Sequence, residues 1–188
     1  MTNNNKAINI CTFPRSGSTF LYKNLLNYID TNRVAKHHSI DMVEFLENVT
    51  IVTIVRNPKD SFSSMMTMKF NTVKDNNKYD FIYEKEFLYL YELYAKHLNF
   101  YLNNLDKITV FKFEEVIEDV HRVIRLVLNI PNNTNNQNYT TVFPENSSKD
   151  GFLNTSKNNE NYKNFINFIN TKDLSPLYDL YNKLISSI

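Results

Sequence analysis

Glycine is nearly missing: the chain of 188 residues has two, Gly17 and Gly151. The dinucleotide fingerprint G-x-G-x-x-G needs three glycines together, and the ATP loop G-x-x-x-x-G-K-[ST] needs two with a lysine after the second, so both are excluded. Cys11 stands alone, which excludes an internal disulfide and a cysteine-rich metal site. Charge of either sign is also lacking in excess. The net charge is +1, so nothing global favours nucleic acid or a membrane surface, and any anion site must be local. No hydrophobic run is longer than a strand, which argues against an integral membrane segment. No charged-then-apolar N-terminal stretch resembles a signal peptide, and the expected setting is cytoplasmic.

Hydrophobic residues make up 42% of the chain and aromatic residues 14%, a composition that builds a folded core. The length suits one domain over 1–188. Residues 7–13 read as a short buried strand and 19–29 as a helix, with Phe20, Leu21, Leu25, Leu26 and Ile29 at helical spacing. A second short strand is expected at 33–36 and a short helix at 41–47, with Asp41 as its N-cap. The run VTIVTIV at 49–55 lacks polar alternation and fits a strand buried on both faces, as in a parallel sheet. Pro58 suits the first turn of a helix reaching about residue 70. The stretch 84–105 carries Phe87, Tyr91, Tyr94, Leu98, Tyr101 and Leu105 on one stripe and reads as a core helix. A strand at 108–113, a helix at 114–128 and two helices at about 162–169 and 174–185 complete the pattern. The polar, asparagine-rich stretch 131–161 reads as a long loop or lid. Alternating strands and helices predict an α/β fold, a P-loop-like three-layer arrangement of a central parallel β-sheet flanked by helices.

The turn after the first strand, TFPRSGSTFL at 12–21, holds Gly17. A strand, a glycine turn and a helix start converge unpaired N–H groups on one point, where the helix dipole favours an anion. Arg15 adds charged donors, and Ser16, Ser18 and Thr19 add hydroxyls. A Ser/Gly turn can also be an ordinary helix cap, so this loop alone does not specify a ligand. A second constellation follows VTIVTIV: RNPKDSFSSM at 56–65 places Arg56 at a strand's carboxyl end and Ser63 and Ser64 on the next helix. Open α/β sheets bind ligands at such edges. Two phosphate sites on neighbouring strands imply a ligand with phosphates at both ends.

This pairing resembles the sulfotransferase family, which uses 3′-phosphoadenosine-5′-phosphosulfate (PAPS). FPRSGSTF is similar to that family's 5′-phosphosulfate loop, commonly PKSGTTW or PRSGTT. RNPKDSFSS is similar to its 3′-phosphate site, an arginine with a serine eight positions on. ITVFKFEEVIEDVHRVIRLVLNI is similar to its later strand-helix unit, typically LYLFYEDLKEDP and a helix. The resemblance covers roughly residues 9–130. It implies a transfer of the sulfuryl group of PAPS to a hydroxyl of a saccharide, a small alcohol or phenol, or a peptide tyrosine, leaving 3′-phosphoadenosine 5′-phosphate (PAP).

The resemblance also implies roles. Arg15 would stabilise the leaving phosphate, Ser16, Gly17, Ser18 and Thr19 would hold the 5′-phosphate, and Arg56 and Ser64 the 3′-phosphate. Phe20 and Phe113 match adenine-contacting positions, although Phe113 lacks the hydroxyl of the tyrosine found in many cytosolic members, and a core role suits Phe20 as well. The family's late R-K-G element has no clean counterpart; SSKDG offers Lys149. For the base, KHHS at 36–39 supplies two histidines past the second strand, and histidine is the usual general base near neutral pH. The family pattern K-x-H falls on Lys36 and His38, with His37 as the alternative base. His97 and His121, on predicted helices, read as structural or surface residues. Arginine and lysine supply the cations, so no metal is expected. Two other readings remain: a P-loop nucleotide or small-molecule kinase, and a non-catalytic nucleotide-binding module.

Overall fold

The computed structural model describes residues 6–70, 80–131, 139–143 and 160–188. Lys149, Gly151 and most of the expected lid at 131–161 lie outside the described residues. β1 (Ala7–Cys11), β2 (Val34–His37), β3 (Val49–Val55) and β4 (Ile108–Lys112) form one sheet. Its order is β2-β1-β3-β4, and each neighbouring pair is parallel.

The apolar run of β3 is explained by the layers on either side. Ile51 and Val55 face one core, which contains Phe62, Phe87, Tyr94 and Leu177; Val52 and Ile54 face the other, with Leu21, Val116 and Ile124. A strand packed on both faces has no reason to alternate with polar residues. α1 (Ser18–Leu25), α4 (Phe113–Glu118) and α5 (Val120–Val127) cover the second face. α2 (Pro58–Phe70), α3 (Asp80–Asn103), α6 (Glu160–Asn170) and α7 (Ser175–Ile185) cover the first. The result is the expected three-layer α/β fold with a central parallel sheet. Among the described residues, no helix is long and apolar enough to cross a membrane.

Three local expectations are corrected. The helix expected over 114–128 is two, because Asp119 leaves helical geometry and its carboxylate accepts from the Arg122 N–H at 2.8 Å, capping α5. Phe113, expected to end a strand, opens α4, with the Glu115 carboxylate accepting from the Lys112 N–H at 3.1 Å. The helix expected at 41–47 is one 3-10 turn, Ile40–Met42, capped by Ser39 rather than Asp41. Residues 44–48 beyond it are exposed and have no core to order them as a helix.

The strand order positions the site. From β1 the chain passes through α1 to β2 on one side, then returns past β1 to β3 on the other. Connections leaving β1 and β3 therefore diverge, and a crevice opens between their carboxyl ends. The turn at 12–17 and the corner at Arg56–Asn57 both border that crevice.

The aromatic stripe of α3 is the joint between helices and sheet. Phe62 of α2 is fully buried and meets Phe87 and Tyr94 edge-on, with centroids 5.9 and 5.5 Å away. Truncating such a residue loses its transfer energy and leaves a cavity. We expect Phe62→Ala to cost about 3–5 kcal/mol in chemical denaturation and Phe62→Leu less than half as much. A loss below about 1 kcal/mol for Phe62→Ala would show that this joint does not carry the fold.

Candidate active site

The turn after β1 is unusual in its backbone. Arg15 has φ 68° and Gly17 φ 88°, both left-handed, on either side of Ser16. Arginine has no intrinsic preference for that region, and the conformation costs about 1–2 kcal/mol. Gly17 answers a second demand, since a Cβ there would lie 3.1 Å from the Phe113 ring. Gly17 is also the N-cap residue of α1 and offers no side-chain cap. The first-turn amides of α1 therefore carry the dipole's positive end without a capping side chain.

Two side-chain contacts hold the turn to the second constellation. The Arg15 Nε–H donates to Ser64 Oγ at 3.1 Å, and an Arg56 Nη1–H donates to the Arg15 carbonyl at 3.1 Å. The Arg56 guanidinium also lies over the Phe113 ring, 4.3 Å from its centroid, a cation–π contact. Crowding by surrounding protein, and then the charge of Arg56, lower the Arg15 pKa from its usual value. Among the described residues, neither guanidinium has a carboxylate within salt-bridge distance. The buried Ser16 hydroxyl has no hydrogen-bond partner among the described residues. Clustered cations without counter-charge, an orphaned hydroxyl and uncapped amides together suit a bound polyanion.

The other residues singled out in the sequence sort as follows. Ser64 is turned toward Arg15, whereas the Ser63 hydroxyl donates to the Lys59 carbonyl of its own helix at 2.8 Å. The Lys36 ammonium donates to Thr19 Oγ1 at 2.9 Å, so β2 and α1 meet at the site. Ser18 is buried. Phe20 is buried too, and stacks on Phe143 at 5.4 Å; its ring belongs to the core on that face of the sheet.

The two histidines differ in their surroundings. His38 is exposed, and its Nδ1 lies 2.9 Å from the Thr12 carbonyl. A carbonyl can only accept, so Nδ1 carries the proton and the neutral ring keeps its lone pair on Nε2. Protein around the ring, and the charges of Lys36 and His37, lower the His38 pKa from the ordinary 6.5, against the opposing pull of the Thr12 carbonyl. His37 places its Nδ1 2.8 Å from the Ser39 carbonyl, but its Nε2 is buried and has no hydrogen-bond partner among the described residues. Nearby Cys11 is buried, which pushes its thiol up to about 12 and leaves no thiolate at neutral pH.

Two supports of the site were not read from the sequence. The Tyr94 hydroxyl donates to the Arg56 carbonyl, and the Tyr178 hydroxyl donates to Asn57 Oδ1 at 3.0 Å. Tyr94 belongs to a helix whose spacing indicated only a core face, and Tyr178 to one read from the sequence as a helix alone. The available signal was the polar tip each ring carries, because a buried tyrosine hydroxyl needs a partner. A cleft of about 660 Å³ beside this corner is lined by Asn57, Lys59, Asp60, Tyr162 and Tyr178, among others.

Comparison with known families adds an independent observation. Residues 31–168 match the family model of the sulfotransferase domain. No curated protein matches the chain. The matched span holds Lys36, His37, His38, Arg56, Ser64 and Phe113, and the turn at 12–17 precedes it while remaining bonded to Arg56 and Ser64. Covering well over half of the chain, the match shows that this protein belongs to the sulfotransferase domain family.

Proposed function

We propose that this sulfotransferase draws its sulfuryl group from PAPS and delivers it to an acceptor hydroxyl, with His38 as general base. The observation that carries this reading is the bonded pair of anion loops: Arg15 reaches Ser64 while Arg56 holds the Arg15 carbonyl. A nucleotide with a 5′-phosphosulfate and a 3′-phosphate needs both loops at a fixed separation, and a simple nucleotide needs one. The Ser16 hydroxyl, buried and without an acceptor among the described residues, fits a phosphate oxygen better than any neutral group.

When bound, PAPS supplies an activated sulfuryl group whose departure leaves a bisphosphate. Ser16, Gly17, Ser18 and Thr19 would hold the 5′-phosphate end through amides and hydroxyls, and Arg56 and Ser64 the 3′-phosphate. Arg15 would neutralise the oxygen on which charge grows. Lys36 sits beside Thr19 and would add a second cation at that end. Phe113, whose ring lies beneath the Arg56 guanidinium, would offer adenine an aromatic edge, whereas the Phe20 ring is packed in the core against Phe143. His38 would accept the acceptor's hydroxyl proton at Nε2, the nitrogen left free by the Thr12 contact. His37 is a weaker base candidate because its Nε2 is enclosed. The acceptor class is a saccharide, a small alcohol or phenol, or a peptide tyrosine.

The reading makes a paired prediction. With isotopically labelled PAPS and a pool of saccharides, phenols and tyrosine peptides, His38→Ala should lower transfer by about 10²–10⁴-fold while still binding PAP. Arg56→Ala should instead weaken PAP binding by about 10–100-fold, the worth of a charged hydrogen bond. A wild-type melting temperature that does not respond to PAP would sink the cofactor assignment.

The pH dependence follows from the sign of the His38 shift. A lowered pKa leaves the ring neutral, and so competent as a base, at pH 7. We expect kcat/KM to rise with pH along a limb centred below 6.5, the ordinary histidine value, and to be flat above it. A limb centred above pH 7 would assign the proton transfer to another group.

A further inference from the structure

His97 is a buried imidazole that the mechanism above does not use. It lies on α3, almost without solvent exposure, with its ring edge-on to Phe13 at 5.7 Å and to Tyr101 at 5.9 Å. Both ring nitrogens face carbonyl oxygens: Nδ1 is 2.8 Å from Leu93 O, and Nε2 is 3.1 Å from His38 O. We propose that His97 is the positioning residue of the base, donating its Nε2–H to the His38 backbone carbonyl and thereby fixing the base relative to the anion turn. The inference rests on the assignment of His38 as base.

The choice of nitrogen follows from hydrogen-bond accounting. Burial lowers the His97 pKa from 6.5, against the opposing pull of the Leu93 and His38 carbonyls, so at pH 7 the ring has one proton for two acceptors. The Leu93 carbonyl lies inside α3, where the helix's own N–H from residue 97 satisfies it. The His38 carbonyl follows the end of β2 and has no other donor among the described residues. Either neutral tautomer leaves one carbonyl facing a lone pair. On Nδ1 the proton would be a second donor to Leu93, whose oxygen the helix already satisfies. On Nε2 it meets the carbonyl that has no other donor among the described residues. The proton belongs on Nε2.

In that tautomer the base is held from two sides. Its ring is fixed by Thr12 through Nδ1, and its backbone by His97. Phe13, next to Thr12, packs on the same imidazole. The single buried ring therefore touches both the segment carrying the base and the turn carrying Arg15, which aligns proton acceptor and anion site without contacting a ligand.

Amide substitutions separate the two nitrogens. His97→Gln carries an N–H at the reach of Nε2, His97→Asn carries one at the reach of Nδ1, and His97→Leu carries neither. With labelled PAPS and the acceptor pool, we expect His97→Leu and His97→Asn to lose at least 10-fold in kcat with PAP affinity unchanged, and His97→Gln to recover to within a few-fold of wild type. Equal turnover in all variants would overturn the proposal. So would a uniform loss shared by Gln and Asn, which is what packing alone produces. Should His97→Leu fail to fold, the contrast between Gln and Asn decides. Nitrogen NMR of the His38 ring gives a readout independent of turnover: one Nδ1–H tautomer in wild type and Gln, mixed or broadened signals in Asn. If His38→Ala keeps full turnover, the base assignment falls while this spectrum still tests the positioning contact; an unaltered spectrum in Asn sinks the contact itself.

Discussion

Two guanidinium groups are held together at the edge of a parallel sheet with no carboxylate paired to either among the described residues, and the surrounding structure is arranged to make that tolerable. Surrounding protein first, and then repulsion from Arg56, lower the Arg15 pKa from its ordinary value. Three contacts offset the repulsion. The Arg15 carbonyl accepts from Arg56, so the peptide dipole of one cation's residue faces the other cation. The Phe113 ring lies beneath Arg56. Ser64 receives Arg15. None of these neutralises the charge, and a bound polyanion would complete what the protein leaves open.

The same constraint reaches the backbone. Arg15 adopts φ 68°, a conformation that persists only where its surroundings over-determine it. Arg56 grips its carbonyl, Ser64 grips its side chain, and Phe13, two residues before, is locked among Phe62, Tyr94 and His97. The aromatic core beneath the first face is thus the foundation of the turn as well as the source of stability. α3 serves both purposes: Tyr94 meets the Arg56 carbonyl and His97 meets the His38 carbonyl, so one helix buttresses the corner after β3 and the segment after β2.

The parts of this arrangement that were legible in the sequence are those set by periodicity and by charge at element ends. VTIVTIV announced a doubly covered strand, and the positions of Arg15, Arg56 and Ser64 after strands pointed to one crevice. The parts that were not legible depend on side chains competing for backbone groups. Asp119 breaks a helix because its carboxylate caps the next one, yet within EEVIEDVHRV it is one acid among several. Ser39 takes the cap expected of Asp41, whose carboxylate pairs with the Lys96 ammonium at 2.9 Å instead. Tyr94 and His97 share their burial with apolar neighbours, so spacing identifies the face and stays silent about the polar tips. Phe20, equally suited by sequence to a ligand platform or to the core, is packed in the core against Phe143.

Burial also decides which of three reactive side chains at this sheet edge could do chemistry. Cys11 pairs with His37 across the β1–β2 register, and His38 is the next residue in the chain. By residue type each could serve as nucleophile or base. Cys11 is enclosed, which holds its proton to about pH 12. His37 turns its free nitrogen into the protein. His38 alone of the three combines an exposed edge, a tautomer fixed by a carbonyl acceptor, and a pKa lowered enough to stay neutral at pH 7. His37 ends β2 and His38 lies just past it, so the two adjacent rings meet different surroundings. The doubled histidine is therefore two unlike groups: one is committed to the end of β2, and the other has the open edge that the proposed role as base would require.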